Sequence, residues 1–293
     1  MRSTSILLLL LIFPLLSHGQ ARNTKRKSPS TYNLQNREAN KFLEKQWWLG
    51  FKAGMNWSRA NVDQTYDVIS PTNYSLAEKQ YNNFKDPGIT ASLEITFYYK
   101  GFSFSLQPTY RNSNFSYSTH YEWDDDEEPT NRLELDYNQE QRIDYAEFPL
   151  LVRYDITNTR LRPYVQVGAY YTLLINANKS VEVSGIDYAS GGTNHFTDEP
   201  IIVGAKDLFA QYQWGLMGGV GANYHLGNIR INLDVTYRQG MSLANSTENR
   251  FANQKLSGVG DAMDDFKLNS FAIMAGVMFP LRYLSGDFKS LDF

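Results

Sequence analysis

An all-β fold, an eight-stranded antiparallel up-and-down transmembrane β-barrel with four long extracellular loops, is predicted by three features of this 293-residue chain. Eight segments alternate apolar with polar residues, the connections between them alternate short with long, and an export signal precedes them all. Side-chain direction in a strand has period two, so each such segment assigns one face to an apolar environment and the other to a polar one.

The chain opens with Arg2, an apolar run from Ile6 to Leu16, and Ser17-His18-Gly19, whose small residues suit cleavage before Gln20. Residues 1–19 therefore read as a signal peptide. The run is too short for a spanning helix, which needs about 20 apolar residues, and no later segment approaches that length. Residues 20–45 are polar and basic (Arg22, Lys25, Arg26, Lys27, Arg37, Lys41 and Lys45 against Glu38 and Glu44) and read as a periplasmic extension with a short helix near Glu38 to Lys45. The barrel occupies 46–283 and a periplasmic tail 284–293.

Composition agrees with this division. Aromatic residues make up 14% of the chain, with 20 Tyr and 17 Phe, which suits strands and interfacial belts. There is no cysteine, so disulfides, thiolate metal sites and a lipidated cysteine are excluded. A net charge of −3 gives no reason to expect nucleic acid. The mean hydropathy of −0.45 resembles that of a soluble protein, yet a barrel shows lipid only half of its strand residues.

The first segment places Trp47, Leu49, Phe51, Ala53, Met55 and Trp57 on the apolar face. The second, from Ile89 to Tyr99, follows with Ile89, Ala91, Leu93, Ile95 and Phe97, and only Lys100-Gly101 separates it from the third, with Phe102, Phe104, Leu106, Pro108 and Tyr110. Pro108 lacks a ladder donor and marks an irregularity. The fourth carries Phe148, Leu150, Val152 and Tyr154 outward, while upstream the apolar parity passes to Ile143 and Tyr145, a phase change that predicts a β-bulge near Ala146 and Glu147. The fifth uses Val165, Val167, Ala169, Tyr171, Leu173 and Ile175; the sixth uses Ala210, Tyr212, Trp214, Leu216, Val220 and Tyr224. The seventh opposes Ile229, Ile231, Leu233, Val235 and Tyr237 to Arg230, Asn232, Asp234, Thr236 and Arg238; the eighth has Phe271, Ile273, Ala275, Val277, Phe279 and Leu281.

Short turns at Lys100-Gly101, Thr157 to Arg162 and His225 to Asn228 contrast with connections of about 61–87, 114–141, 177–206 and 240–266, which predicts loops outside the cell and turns in the periplasm. Ten steps from Trp47 to Trp57 span about 33 Å, or about 25 Å once tilted, the height of a lipid-facing band. A water-soluble barrel would put its apolar side chains inside. Aromatic residues at both segment ends and the polar-face charges Lys52, Glu94, Glu147, Arg153, Arg230, Asp234 and Arg238 favour the membrane reading, with those charges paired in a filled lumen.

Several stretches resemble the PorT-type outer-membrane β-barrel domain family: Gly50 to Asn56, Glu147-Phe148-Pro149-Leu150-Leu151-Val152-Arg153-Tyr154, Arg162-Pro163-Tyr164-Val165 with Gly168, Gly219-Val220-Gly221, and Tyr237-Arg238-Gln239-Gly240. The resemblance covers about 46–283. It implies a barrel in the outer membrane of a Gram-negative bacterium, and through the family's namesake an association with type IX secretion; it brings no catalytic residues.

Candidate chemistry is sparse. His120 near Asp124 to Asp126, or His195 near Asp198, could supply an Asp/His pair to a hydrolase, and the run Asp124 to Glu128 could bind a hard cation, though without the glycine and ligand spacing of a calcium loop. His225 lies in a short turn. No residue is assigned a catalytic, cofactor-binding or metal role. The expected protein is a non-enzymatic structural or accessory component of envelope traffic, in contact with outer-membrane lipid and with other envelope or secretion proteins; the alternative is a surface binding module or adhesin acting through its loops, and the third reading is an outer-membrane hydrolase.

Overall fold

The computed structural model describes residues 45–66, 79–125, 127–128, 130–226, 229–250 and 262–281, so the expected signal peptide, nearly all of the expected basic extension and the 284–293 tail lie outside the described residues. Among those described, twelve strands form one antiparallel sheet: β1 (Lys45–Gln64), β2 (Gln80–Asn82), β3 (Pro87–Tyr99), β4 (Phe102–Leu106), β5 (Thr109–Asp124), β6 (Arg132–Asp155), β7 (Leu161–Asp187), β8 (Asn194–Thr197), β9 (Ile201–Gly204), β10 (Tyr212–Leu226), β11 (Ile229–Gly240) and β12 (Asp265–Pro280).

The sheet closes on itself. β1 pairs with β3 and β12; β3 pairs with β4 and β5; both pair with β6; and β6, β7, β10, β11 and β12 follow in turn. β2, β8 and β9 lie off this ring. With β4 and β5 counted as one interrupted strand, the ring has eight members, and the eight alternating segments fall on them. The interruption sits at Gln107-Pro108, as the missing donor requires, and the ladder resumes around it: Leu93 N–H donates to the Pro108 carbonyl at 2.9 Å and Gln107 N–H to that of Pro149 at 3.1 Å. In the β3–β4 turn, Lys100 and Gly101 both have positive φ, 46° and 91°, the backbone of a two-residue type I′ hairpin.

Facing follows the alternation. Outward Trp47, Leu233 and Val167 are 52%, 55% and 64% exposed, whereas inward Lys52, Glu94 and Glu147 are fully buried. This is the reverse of a water-soluble barrel. Of the predicted belt residues, Trp47, Tyr99, Tyr154 and Tyr224 at one end and Tyr110, Tyr171 and Tyr237 at the other are exposed on the outer face, while Trp57 is half-buried.

Two expectations need correction. The bulge is not at Ala146-Glu147, because β6 keeps its parity throughout, with Ile143, Tyr145, Glu147, Leu151 and Arg153 all buried. The extra residue is Ile175 on β7: Asp144 pairs with Asn176 and Tyr145 with Leu174. The apparent phase change at Ile143 and Tyr145 is instead a change in what fills the interior. Secondly, much of 114–141 and 177–206 is strand rather than loop. β6 and β7 contain 24 and 27 residues, more than twice the ~10 that a membrane crossing uses, and β5 to β7 stay paired up to Asp124↔Arg132 and Leu133↔Asp187.

Above the level of Glu147 most of the large inward residues are apolar, with Gln139, Gln141 and Lys179 buried among them. Phe115, Ile143, Tyr145, Leu174, Phe209 and Phe266 belong to one buried cluster, with Phe115 and Phe266 edge to face at 5.2 Å between ring centroids. β9 and the 3-10 turn Lys206–Leu208 complete this core: Val203, Ala205 and Leu208 pack into it.

Candidate functional site

The inward charges of the ring sort into two clusters. Lys52 on β1 lies 2.8 Å from Glu94 Oε2 on β3 and also pairs with Asp234 on β11, while Glu94 also pairs with Arg153 on β6. Two cations and two anions thus balance. Thr96 Oγ1 donates to Glu94 Oε1 at 2.8 Å, and Arg153 Nε donates to Gln166 Oε1 at 2.8 Å. Tyr164 OH donates to Asp234 Oδ2 at 3.2 Å and accepts from Asn232 Nδ2 at 2.7 Å. The Tyr164 ring crosses the floor of β10, where a Cβ on Gly221 would stand 2.5 Å from Tyr164 Cζ; glycine is the residue that leaves this space.

The second cluster is Glu147 between Arg111 Nε at 2.9 Å and Arg238 Nε at 2.8 Å. Arg111 also stacks over Tyr145, 4.9 Å from its centroid, and donates to Ser113 at 2.7 Å. Six of the seven charges expected in the lumen are therefore paired there. Arg230 is the exception: it is buried with no carboxylate in ion-pair range among the described residues, and its guanidinium lies over Trp48 at 3.7 Å. Arg111, Tyr164 and Arg162 were absent from the expected charge set, although the parity of their strands, opposite Tyr110 and Val165, already pointed all three inward. Burial of ions is tolerable only when each finds its counter-charge, so these clusters read as the filling of the lumen.

At the opposite end, that of the long connections, His120 pairs with neither Asp124 nor Asp125. Its Nδ1 lies 2.7 Å from Asp136 on β6 and its Nε2 3.3 Å from Glu122, and the hydrogen bond to Asp136 raises its pKa. Arg132 bridges Glu122 at 2.8 Å and Glu134 at 3.0 Å on the same outer face. His195 lies exposed on β8 opposite Ile186, with no ion pair to Asp198 among the described residues. His225 is not in a turn but on β10 opposite Arg230. In the acidic run Asp126 lies outside the described residues; Asp125 accepts the Glu127 N–H at 2.9 Å, which lowers its pKa, and its own N–H donates to the Asn131 carbonyl. The run is organised as a turn. Among the described residues no group of three or more His, Asp or Glu side chains is placed to hold a metal ion.

A closed antiparallel ring with apolar side chains outside and paired charges within defines a membrane barrel. The chain belongs to the outer membrane protein beta-barrel domain family, whose model matches residues 29–248, and its place is the bacterial outer membrane. No curated protein matches it. Among solved structures it is similar to Neisserial surface protein A (13% identity, 80% of this chain and 96% of that one, TM-score 0.35). It is also similar to OprG of Pseudomonas aeruginosa (16% identity, 81% and 97%, TM-score 0.37) and to outer membrane protein W of E. coli (14% identity, 80% and 97%, TM-score 0.31).

Proposed function

We propose that the ring is an eight-stranded up-and-down transmembrane barrel with its long connections outside the cell and its short turns in the periplasm, and that it works as a non-enzymatic, non-conducting surface binding module. One observation carries this reading: β5, β6 and β7 continue as paired strands well past the outer belt and enclose an apolar core of their own. A barrel needed only as a membrane scaffold would close its strands with short loops at the belt. A packed sheet standing in water presents fixed side chains to a partner without the ordering cost of a mobile loop. Paired charges below and a packed, mainly apolar core above fill the interior with side chains, which supports the non-conducting part.

A second reading is an accessory component of envelope traffic, related to type IX secretion. It is supported by the basic composition of 20–45 and by the PorT-type resemblance of the strands.

Photo-crosslinking separates the two. A crosslinker in place of exposed Trp123, at the top of β5, captures a partner on intact cells if the extension is the working surface. Capture only from position 100 in the β3–β4 turn, together with co-purifying envelope machinery, transfers the function to the periplasmic side. Topology is tested in the same cells: an impermeant thiol reagent labels Asn194→Cys and spares Lys100→Cys. Reproducible single-channel currents from the purified protein in planar bilayers contradict the sealed interior.

A further inference from the structure

The short-turn end of the lumen holds a set of buried hydrogen-bond donors that no acceptor among the described residues satisfies. Arg230 is 2% exposed, and neither Nε nor Nη2 has a partner. These two atoms form the edge with which a guanidinium grips an oxyanion in a fork. The indole Nε1 of Trp48 and the amide Nε2 of Gln46 are likewise buried and unmatched.

These side chains converge. Arg230 lies over the Trp48 ring at 3.7 Å and within 5.1 Å of the Tyr98 centroid; Gln46 faces Tyr98 in register; Arg162 Nη1 donates to Tyr98 OH at 3.2 Å. His225 packs edge-on to Trp48 at 6.3 Å, and its Nε2 is also unmatched. Unmatched acceptors are fewer: Gln46 Oε1 and Asp155 Oδ2, the latter 3.8 Å from Arg162. Two guanidinium groups thus face one carboxylate.

A surplus of fixed donors around a surplus positive charge calls for an acceptor-only ligand carrying negative charge. We propose that the short-turn mouth is a binding site for a small oxyanion, carboxylate or phosphate, forked by Arg230 Nε and Nη2 and completed by Trp48 Nε1 and Gln46 Nε2. The aromatic faces of Trp48 and Tyr98 hold the guanidinium in place, since no carboxylate does. Gln46 is the first inward side chain of β1 at this end, so the anion enters past it. Asp155 repels the ligand and sets a limit to its charge.

The test is titration calorimetry on the purified full-length barrel in detergent, in a buffer without other oxyanions, with sodium phosphate in one arm and sodium acetate in the other. Saturable heat from either supports the site, and the stronger arm identifies a tetrahedral or a planar ligand. Arg230→Gln and Arg230→Lys each weaken binding roughly tenfold or more, the lysine because it keeps the charge and loses the fork. Arg59→Gln, on the outer face, changes nothing. Wild-type protein without saturable heat in both arms, the result expected if ordered water alone meets these donors, overturns the proposal, as does Arg230→Gln that binds like wild type. If the Arg230 variants lose the heat-modifiable folded form, Trp48→Phe, which keeps the ring and loses the donor, carries the test: several-fold weaker binding supports the site and unchanged binding sinks it.

Discussion

Between Lys52 and Arg238 the interior is held by ion pairs, whereas from Tyr145 upward the same inward parity carries Ile143, Phe115, Leu174 and Phe266. The two regions share strands, so the difference lies in what the wall faces outside. Where the outer surface meets lipid, alternation leaves polar residues for the inside; where it meets water, the same strand returns to the soluble pattern of apolar inside and polar outside. The inversion occurs between Glu147 and Tyr145 on β6, between Arg111 and Phe115 on β5 and between Thr172 and Leu174 on β7, next to the outward belt residues Tyr110 and Tyr171. The interior thus becomes mainly apolar at the level where the outward residues of β5 to β7 turn polar.

Breaking an ion cluster is the harshest way to test this contrast. Glu94→Ala leaves Lys52 and Arg153 short of a buried counter-charge and should cost about 3 to 5 kcal/mol, read as a lowered midpoint for loss of the heat-modifiable band. Next comes the upper core, where Phe266→Ala removes a ring packed on Phe115 and Phe209 and should cost about 3 kcal/mol. That loss should appear first as proteolysis of β5–β6 with the membrane band still resistant. Simultaneous loss of both regions would show that they unfold as one unit.

The outer faces sharpen the comparison. Leu233→Arg, on the lipid band, should cost about 2 kcal/mol or more and impair assembly, while Ile202→Arg, on β9 beside the upper sheet and 73% exposed, should assemble normally. Equal yields of folded protein for the two would contradict the membrane level drawn here.

The smallest effect concerns His120. Its folded-state pKa is raised above 6.5 through Asp136, so its stabilisation is complete below about pH 6.5 and is lost as pH rises through the folded value. The pair is solvent-accessible, so roughly 0.5 kcal/mol or less is expected. His120→Asn should abolish a pH dependence of local protection at the β5–β6 hairpin, measured by hydrogen exchange between pH 5 and about 8.

Strands were legible because lipid on one side imposes strict alternation, and the ring charges followed from the same parity. The bulge was misplaced because Ile143 and Tyr145 look like a change of face when in fact the filling changes and the face does not. Sequence alone holds no sign of which solvent lies outside a given residue. The extension was read as loop for a related reason: Ser113 to Glu122 and Asn176 to Glu182 are polar on their outward positions, which a strand in water requires and a membrane template discards. The His120–Asp136 contact depends on a cross-strand register that no spacing within the acidic run reveals.

The ion pairs also bear on how such a chain reaches the bilayer. Lys52 and Asp234 are 182 residues apart, Arg238 and Glu147 are 91 apart, and Arg153 and Glu94 are 59 apart. Lys52–Glu94 on β1 and β3 and Arg111–Glu147 on β5 and β6 form between consecutive strands, but Asp234, Arg153 and Arg238 find their partners only on strands beyond their own hairpins, so an open intermediate leaves those three ions unpaired in hydrocarbon. The last seam, β1 against β12, is the one that brings Lys52 within reach of Asp234 on β11. Complete neutralisation of the lumen thus waits on closure of the ring, which ties the burial of these charges to the last seam rather than to any one hairpin.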